Sequence, residues 1–348
     1  MPDSSLQGKP TREDLMIVYK FLLGREPDDT VDLDEILKGS NWDSVRKIIL
    51  ASRQFQEFLS QFQIGHFIVP WNGPPARVDT EVSDNDLARM FSRIEAGFNT
   101  LGNTEPYWAV LTNDRFRMKH LEASKAQFFE RGKGDLAVLH SFAARARINL
   151  KSFDTCFELG CGVGRVTFHL AGLFGQVIGW DISEAMIMEA KANAVAFDCT
   201  NVTLKTVRSF AEFDELDDFD CFFSRIVLQH NPPPVARYML SKIFAKIRPG
   251  GIACFQVPTY IFGYSFDSDK YLSEPPKGSF EMHVLPQAVI FELLTRNNFR
   301  VLEVREDGAT SPIGTPGRIV SNTFFAQKAP FSASADDSKR RSAKDLVA

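Results

Sequence analysis

The feature that most constrains the fold of this chain is residues 153–165, where an apolar run passes directly into glycines at alternate positions. The apolar run has the length and composition of a short buried strand. It ends at Leu159, and an apolar helical pattern begins at Val166. Glycine allows a sharp turn and lets a ligand approach bare amide groups, while the helix directs its unpaired N–H groups at the same place. The stretch therefore predicts a strand, a glycine turn and a helix that together hold a cofactor.

The spacing of the glycines indicates which kind of cofactor fits. The turn contains Gly160, Gly162 and Gly164. A dinucleotide-binding turn has a small residue where this sequence has Arg165, because helix and strand pack closely there. Glu158, two residues before the first glycine, would also repel a pyrophosphate. A carboxylate at this position instead suits a cofactor with a cationic end.

Further segments extend the pattern along the chain. Residues 176–181 form a second apolar run that ends in Asp181, about 20 residues after the glycines, where an acid typically binds ribose hydroxyls. Ser183 is positioned to cap the helix that follows. Residues 219–225 and 252–257 predict two more strands with a helix between them. Alternating strands and helices indicate an α/β fold with a parallel sheet.

The pattern Glu-x-Gly-x-Gly-x-Gly, followed by the blocks GWDIS, FDCFFSRIVLQH and IRPGG, resembles class I S-adenosylmethionine (SAM)-dependent methyltransferases over roughly residues 120–328. The resemblance implies a doubly wound, mostly parallel, seven-stranded Rossmann-like sheet, preceded by an all-α N-terminal region. Ser209 stands where the family has an aspartate beside the adenine, so that contact depends on Ser209 or a backbone amide. The cofactor-binding residues that the resemblance implies are Glu158, Gly160, Gly162, Gly164, Asp181, Ile182, Ser209, Phe210 and Arg225.

Two histidines are candidate catalytic residues. SAM carries its own reactive methyl group, so the protein need only align an acceptor and remove its proton. His230 closely follows the strand at 219–225, and an imidazole with an ordinary pKa near about 6.5 suits a general base, so we expect the rate to rise with pH through neutrality. Its alternative role is a hydrogen bond within the loop before Pro232. His283 matches a position where enzymes that resemble this chain have a pocket-lining histidine.

Two other chemistries are disfavoured by the sequence. A metal-assisted reaction needs acids and amides around Asp220, but Cys221 and Phe222 follow it, so we expect no metal. The segment 231–234 (Asn-Pro-Pro-Pro) superficially resembles the strand end of DNA adenine methylases, but Pro234 replaces the aromatic residue that would stack on a flipped base. The formal net charge is −4, which also disfavours a nucleic-acid substrate.

The N-terminal part of the chain predicts a separate helical unit. The segments YKFLLGREPD at residues 19–28 and SRQFQEF at 52–58 resemble a small domain of bacterial envelope and glycan-related proteins. That resemblance implies a helical unit that binds a protein partner or forms a dimer. We divide the chain into a helical domain (11–65), a linker (66–78), a helical lead-in (79–149), the methyltransferase domain (150–328) and a disordered tail (329–348).

Composition and targeting signals indicate the compartment. No apolar run is long enough to span a bilayer, and the polar residues 1–10 lack the apolar core of a signal peptide. The five cysteines lack the paired spacing of a metal site, and most fall in predicted buried elements. Free thiols fit a reducing compartment, so we expect a cytoplasmic protein. The resemblance to class I methyltransferases of the bacterial small-molecule type implies a bacterial one.

These observations lead to one preferred function and two alternatives. We expect a SAM-dependent methyltransferase that acts on a small molecule, with a hydroxyl on a sugar or glycan intermediate as the preferred acceptor. The sugar follows only from the resemblance of the N-terminal unit, and the acceptor atom (O, N or C) stays open. One alternative is a non-catalytic SAM-binding scaffold that works through its N-terminal helices. The other, a nucleotide-dependent oxidoreductase, is opposed by Arg165.

Overall fold

The computed structural model describes residues 9–23, 26–27, 33–38, 41–52, 55, 77–261, 263–276, 280–308 and 319–330. The chain divides into a compact unit before residue 72 and a second unit that contains all the described residues from 77 onward. The predicted boundaries at 65 and 78 enclose a linker of which residues 66–76 lie outside the described part of the chain, as do residues 331–348 of the predicted tail.

The first unit consists of short helices around a small apolar core. Asn41 caps the third helix, because its Oδ1 accepts the N–H of Ser44 at 2.9 Å. The helices are α1 (Arg12–Leu23), α2 (Leu33–Leu37) and α3 (Trp42–Ala51). Their buried residues include Leu15, Tyr19, Leu33, Val45 and Ile49.

The second unit is built on a sheet that has seven strands among the described residues. A separate small sheet pairs β1 (Arg77–Val78) with β7 (Ser265–Phe266). The strands of the large sheet are β2 (Thr155–Leu159), β3 (Gln176–Asp181), β4 (Val202–Thr206), β5 (Phe219–Ser224), β6 (Ile247–Tyr260), β8 (Phe299–Asp307) and β9 (Val320–Lys328). The strand order is β4-β3-β2-β5-β6-β9-β8. Strand β9 is antiparallel to both neighbours, and the other pairings are parallel. The predicted α/β fold with a mostly parallel, seven-stranded Rossmann-like sheet is therefore confirmed.

Helices cover both faces of this sheet. They are α4 (Asp84–Thr104), α5 (Pro106–Val110), α6 (Leu121–Glu130), α7 (Gly132–Ala146), α8 (Thr167–Ala171), α9 (Glu184–Ala196), α10 (Pro233–Lys246), α11 (Ser268–Ser273) and α12 (Gln287–Arg296). Neighbouring residues of the central strands face opposite layers, as the two-residue period of a strand requires. One core contains Phe157, Phe222 and Phe255 with side chains of α4, α10 and α12, and the other contains Cys156, Cys221 and Cys254 with side chains of α7 and α8.

Two helices meet at residues 130–132, where α6 ends at Glu130 and α7 begins at Gly132. The sequence predicts this break, with the second helix starting slightly later, at Asp135. A Cβ atom on Gly132 would lie 2.2 Å from the carbonyl oxygen of Arg165. The absence of a side chain therefore brings the start of α7 against the main chain that follows the glycine turn. This contact places α7 beside the strand ends, where the site is formed.

Candidate active site

The glycine turn connects β2 to α8 at the carboxyl end of the sheet. Gly160 and Gly162 have φ values of 74° and 52°, a region that residues with a side chain rarely adopt. A Cβ atom on Gly160 would lie 2.3 Å from Val227, and one on Gly162 would lie 2.7 Å from Val110. The turn thus needs glycine both for its backbone conformation and for space.

A cavity of about 490 Å³ lies next to this turn. Most of the residues predicted for the site line this cavity: Glu158, Gly160, Gly162, Asp181, Ile182, Arg225 and His230. Gly164, Ser209, Phe210 and His283 are not part of the described lining. We call Glu158, Gly160, Gly162, Arg165, Asp181 and Arg225 the polar cradle.

Asp181 ends β3 beside the turn. Its carboxylate accepts hydrogen bonds from main-chain N–H groups of the turn and of the residues that follow β3. Its Oδ2 accepts the N–H of Gly162 at 2.9 Å, and its Oδ1 accepts the N–H of Ser183 at 2.9 Å. Burial raises the pKa of its carboxyl group, although the backbone N–H donors oppose this shift. Asp181 therefore fixes the turn and places a carboxylate in the cavity wall.

Glu158 lies on β2 and is 4% exposed. Its Oε2 accepts the hydroxyl of Thr167 at 2.6 Å. Burial raises the pKa of Glu158 to about 7, against the opposing effects of Thr167 and of the Arg165 guanidinium. A buried carboxylate of this kind is stabilised by a cationic ligand, which restores its charged form.

Asp135, which the sequence did not suggest, joins the two arginines of the cradle. Its Oδ2 lies 2.5 Å from Nη1 of Arg165, and its Oδ1 lies 3.2 Å from Nη1 of Arg225. The Nε atoms of Arg165 and Arg225 are buried and have no hydrogen-bond partner within the described residues. Such unpaired donors in a cavity wall are suited to an anionic group of a ligand.

The loop after β5 contains a strained residue. Ile226 has a φ of 60°, which is unusual for a β-branched side chain. Its N–H donates to Oε1 of Gln256 at 2.8 Å, and the Nε2 of Gln256 donates to Ser321 at 2.6 Å and to Gln229 at 3.2 Å. Gln256 is buried, so this network maintains the turn that places Arg225 and His230 in the cavity.

His230 lines the cavity with a defined tautomer. Its Nδ1 lies 3.1 Å from the carbonyl oxygen of Glu281, which can only accept, so Nδ1 carries the proton. Its Nε2 lies 3.2 Å from the Nε2 of Gln229, which donates. Burial lowers the pKa of His230 to about 4. The imidazole is therefore neutral near pH 7, and the sequence-based expectation of a group titrating near neutrality does not fit this environment.

Aromatic rings surround His230. Its ring centre lies 5.8 Å from that of Phe98 and 5.4 Å from that of Phe280, and the two phenylalanines are 6.1 Å apart. We call Phe98, His230 and Phe280 the aromatic wall. Trp108 packs behind Phe280 at 5.7 Å. No sequence pattern pointed to Phe98 or Phe280, because they come from segments far apart in the chain.

His283 lies outside the described lining and is 7% exposed. Its Nδ1 is 3.0 Å from the hydroxyl of Tyr264, and its Nε2 is 3.4 Å from Oε2 of Glu281. The rings of Phe266 and Tyr271 pack against it. These contacts give His283 a place in the segment behind the aromatic wall, and its catalytic role stays a prediction.

The other predicted residues outside the lining have local partners. The N–H of Ser209 donates to Glu212 at 3.1 Å. The ring of Phe210 lies 4.8 Å from those of Phe91 and Tyr238. A Cβ atom on Gly164 would lie 2.4 Å from the ring of Phe168. The cofactor roles of Ser209, Phe210 and Gly164 stay predictions.

Two absences concern the described residues only. Among them, no three His, Cys, Asp or Glu side chains are grouped as metal ligands would be. None of the helices in the same part of the chain combines the length and apolar character needed to cross a membrane.

The central part of the sheet unit matches a known family. Residues 156–251 match the family described as "Methyltransferase domain". A curated relative, trans-aconitate 2-methyltransferase from Deinococcus radiodurans, is 32% identical over 117 residues, which are 33% of this chain and 42% of that protein. The match therefore spans less than half of the relative.

Solved structures of methyltransferases were also found to be similar. Magnesium protoporphyrin IX methyltransferase from Synechocystis PCC 6803 with bound SAH has 19% identity and a TM-score of 0.49, with coverage of 69% of this chain and 100% of that chain. A SAM-dependent methyltransferase from Clostridium acetobutylicum has 12% identity and a TM-score of 0.43, with coverage of 60% and 99%. The residues that match the methyltransferase family, 156–251, include the glycine turn, Asp181 and the loop after β5.

Proposed function

We propose that this protein is a SAM-dependent methyltransferase that acts on a small molecule. The observation that carries the proposal is the polar cradle, in which buried Glu158 and Asp181 flank a turn that requires glycine. A cofactor with both a cationic and an anionic group matches this set of donors and acceptors, whereas the pyrophosphate of a dinucleotide would be repelled by the Glu158 carboxylate.

Each part of SAM has matching residues in the cradle. Glu158 would bind the cationic amino group, and the unpaired N–H groups of Arg165 and Arg225 would bind the carboxylate. Asp181 would accept hydrogen bonds from the ribose hydroxyls. Ile182, with other apolar side chains of the lining, suits the adenine ring. When bound, SAM supplies an activated methyl group, and the protein orients the acceptor.

The acceptor is proposed to lose its proton to His230. The Nε2 atom of His230 lacks a proton because Nδ1 donates to Glu281, and the ring lines the cavity. The acceptor would replace the Gln229 amide as the hydrogen-bond donor to Nε2. A low pKa keeps the imidazole unprotonated near neutrality but makes it a weak base. The sugar or glycan hydroxyl predicted from the N-terminal resemblance remains one candidate acceptor.

Binding of SAM separates this proposal from the oxidoreductase. In calorimetric titrations of the purified chain, SAM and its product S-adenosylhomocysteine should bind, and NAD should not. Tighter binding of NAD than of SAM would overturn the proposal. If SAM binds but no methyl transfer is found with any acceptor or cell-extract fraction, the non-catalytic scaffold becomes the better account.

The remaining proposals concern domains, partners and location. We propose that the unit before residue 72 folds independently and binds a partner or forms a dimer, because it has its own apolar core. Cytoplasmic location is supported by the five cysteines, all of which are unpaired. A two-hybrid or pull-down experiment with residues 1–71 as bait, and sedimentation of the full chain, would test these roles.

A further inference from the structure

The ionised side chains of the described cavity lining all belong to the polar cradle. They are Glu158, Arg165, Asp181 and Arg225, and both arginines already face Asp135. The described lining residues of helix α4 and of residues 109–112, together with Phe280 and Met282, are all uncharged. The part of the described cavity formed by these segments therefore offers no cation to an anionic acceptor.

Hydrogen-bonding groups near the aromatic wall are mostly used within the protein. The amide of Gln229 bonds to Gln256 and to the ring of His230. The Nδ2 of Asn231 donates to the carbonyl oxygen of Val227 at 2.9 Å. A polyol such as a sugar would leave several hydroxyls without partners here, which is costly in a buried site.

The arrangement of the wall suits a flat ring. Phe98 and Phe280 each meet the ring of His230 at a steep angle, at 62° and 56°. Inclined rings 5–6 Å apart present both faces and edges, and aromatic ligands pack favourably against either. Because His230 belongs to the same wall, a substituent on such a ligand lies within reach of a proton acceptor.

Resting on the proposed methyl transfer, we infer that the acceptor is an uncharged aromatic compound with a phenolic hydroxyl, whose ring packs against Phe98, His230 and Phe280. The phenolic oxygen attacks the methyl carbon, the carbon–sulfur bond of the sulfonium breaks, and neutral S-adenosylhomocysteine leaves. The phenolic hydroxyl replaces the Gln229 amide as the donor to Nε2 of His230, and the phenolic proton passes to that nitrogen and then to water. A phenol, with a pKa near about 10, is acidic enough for a weak base to assist.

Four probes that differ in aromaticity, charge and number of hydroxyls test this inference, and the phenol and the cyclohexanol among them are matched in size. We would measure binding of 4-ethylphenol, 4-ethylcyclohexanol, 4-ethylbenzoate and methyl glucoside to the S-adenosylhomocysteine complex by calorimetry, and methyl transfer to each from radiolabelled SAM. The phenol should bind about 3- to 10-fold more tightly than the cyclohexanol, because it gains aromatic contacts. The benzoate should bind about 100-fold more weakly than the phenol, because its charge has no partner.

Variants of the wall connect the preference to these residues. Phe98→Leu and Phe280→Leu should each weaken binding of 4-ethylphenol by about 3- to 10-fold and leave SAM affinity unchanged. Phe291→Leu is a matched control, because Phe291 lies on α12 and is 38% exposed. It should change neither affinity.

The outcomes distinguish the inference from the function on which it rests. Failure of SAM to bind overturns both. If SAM binds and the benzoate or the glucoside is preferred, or if 4-ethylphenol does not bind the S-adenosylhomocysteine complex, only the acceptor inference is wrong. Equal effects of Phe280→Leu and Phe291→Leu would also contradict it.

Discussion

The polar cradle and the aromatic wall line the same cavity but are built in different ways. The cradle comes mainly from a short stretch at the end of β2 and from the ends of β3 and β5. Glu158, Arg165 and Asp181 are buried and Arg225 is half-buried; both arginines pair with Asp135, and main-chain N–H groups fix Asp181. The wall combines single side chains from α4, from the loop after β5 and from the segment before α12. The cradle therefore depends on local backbone geometry, whereas the wall depends on how distant segments pack.

The cradle and the wall also differ in charge, because the cradle contains ionised side chains and the wall does not. Around the cradle, removal of one charge leaves others buried without a partner, which costs more than the pair contributes. Around the wall, substitutions remove apolar contacts and change the shape of the cavity. We therefore expect cradle variants to affect stability and cofactor affinity, and wall variants to affect the acceptor step.

The largest expected effect is on stability. Asp135→Leu leaves the buried Arg165 and the half-buried Arg225 without their carboxylate and should lower the free energy of unfolding by about 3–5 kcal/mol. Asp114→Leu is the control, since Asp114 forms an ion pair with Arg117 with its own side chain 83% exposed, and should cost about 1 kcal/mol or less. Urea denaturation would measure both. Equal losses would show that the cradle is not held by buried charge.

The next largest effect is on the acceptor step. His230→Ala should lower kcat by about 100-fold and leave SAM affinity nearly unchanged, measured with the best acceptor found. Since the pKa of His230 is lowered to about 4, its contribution to the rate should be constant from pH 6 to 8 and fall as the pH drops through about 4. His283→Ala tests the rival prediction that His283 is the catalytic histidine; because His283 lies outside the described lining, we expect a smaller loss of kcat. A larger loss in His283→Ala than in His230→Ala would reverse their roles.

Cofactor affinity should respond to Asp181. Asp181→Ala removes the acceptor for the ribose and for the N–H groups of Gly162 and Ser183, so SAM should bind at least about 10-fold more weakly. The Asp181→Asn variant keeps one acceptor oxygen and should lose less of its affinity for SAM than Asp181→Ala. Wild-type affinity in a folded Asp181→Ala protein, measured by calorimetry, would remove Asp181 from the cofactor site.

Affinity for SAM should also depend on pH through Glu158. Its pKa of about 7 means that half of the side chains are protonated at that pH, and a proton must leave before the carboxylate can bind a cationic group. SAM should therefore bind about 10-fold more weakly at pH 6 than at pH 8. The Glu158→Gln variant should bind SAM weakly at both pH values. A pH dependence that persists in this variant would have another origin.

The smallest effect is expected from truncation. Strand β1 begins at Arg77 and pairs with β7 inside the second unit, so a truncated chain should start at residue 72 rather than near Val78. SAM affinity of this chain should stay within about twofold of the full-length value, since the cradle lies wholly in the second unit. If the truncated chain is insoluble or does not bind SAM, the first unit is needed for folding.

The sequence was sufficient for the sheet and for much of the cradle. Gly160 and Asp181 could be found because the local pattern of strand, turn and acid determines both where they lie and what they contact. Asp135 could not be found, since only the close contact of Gly132 with Arg165 brings α7 beside the arginines. Phe98 and Phe280 resemble any other core phenylalanine in the sequence. The pKa of His230 depends on burial by these rings, which no sequence pattern expresses.

The buried cysteines of the central sheet allow local unfolding of the domain to be measured by chemical labelling. Cys156, Cys221 and Cys254 lie on neighbouring strands and are 0% exposed, whereas Cys199 is partly exposed. Burial raises the pKa of the Cys156 thiol well above its usual range, so in the native state it is shielded and unreactive. A thiol reagent should modify Cys199 first, more slowly than a free thiol because burial and Asp198 raise its pKa, and the sheet cysteines only when the strands separate. The rate of labelling at each cysteine, with and without SAM, thus reports in real time how ligand binding slows the opening of each part of the domain.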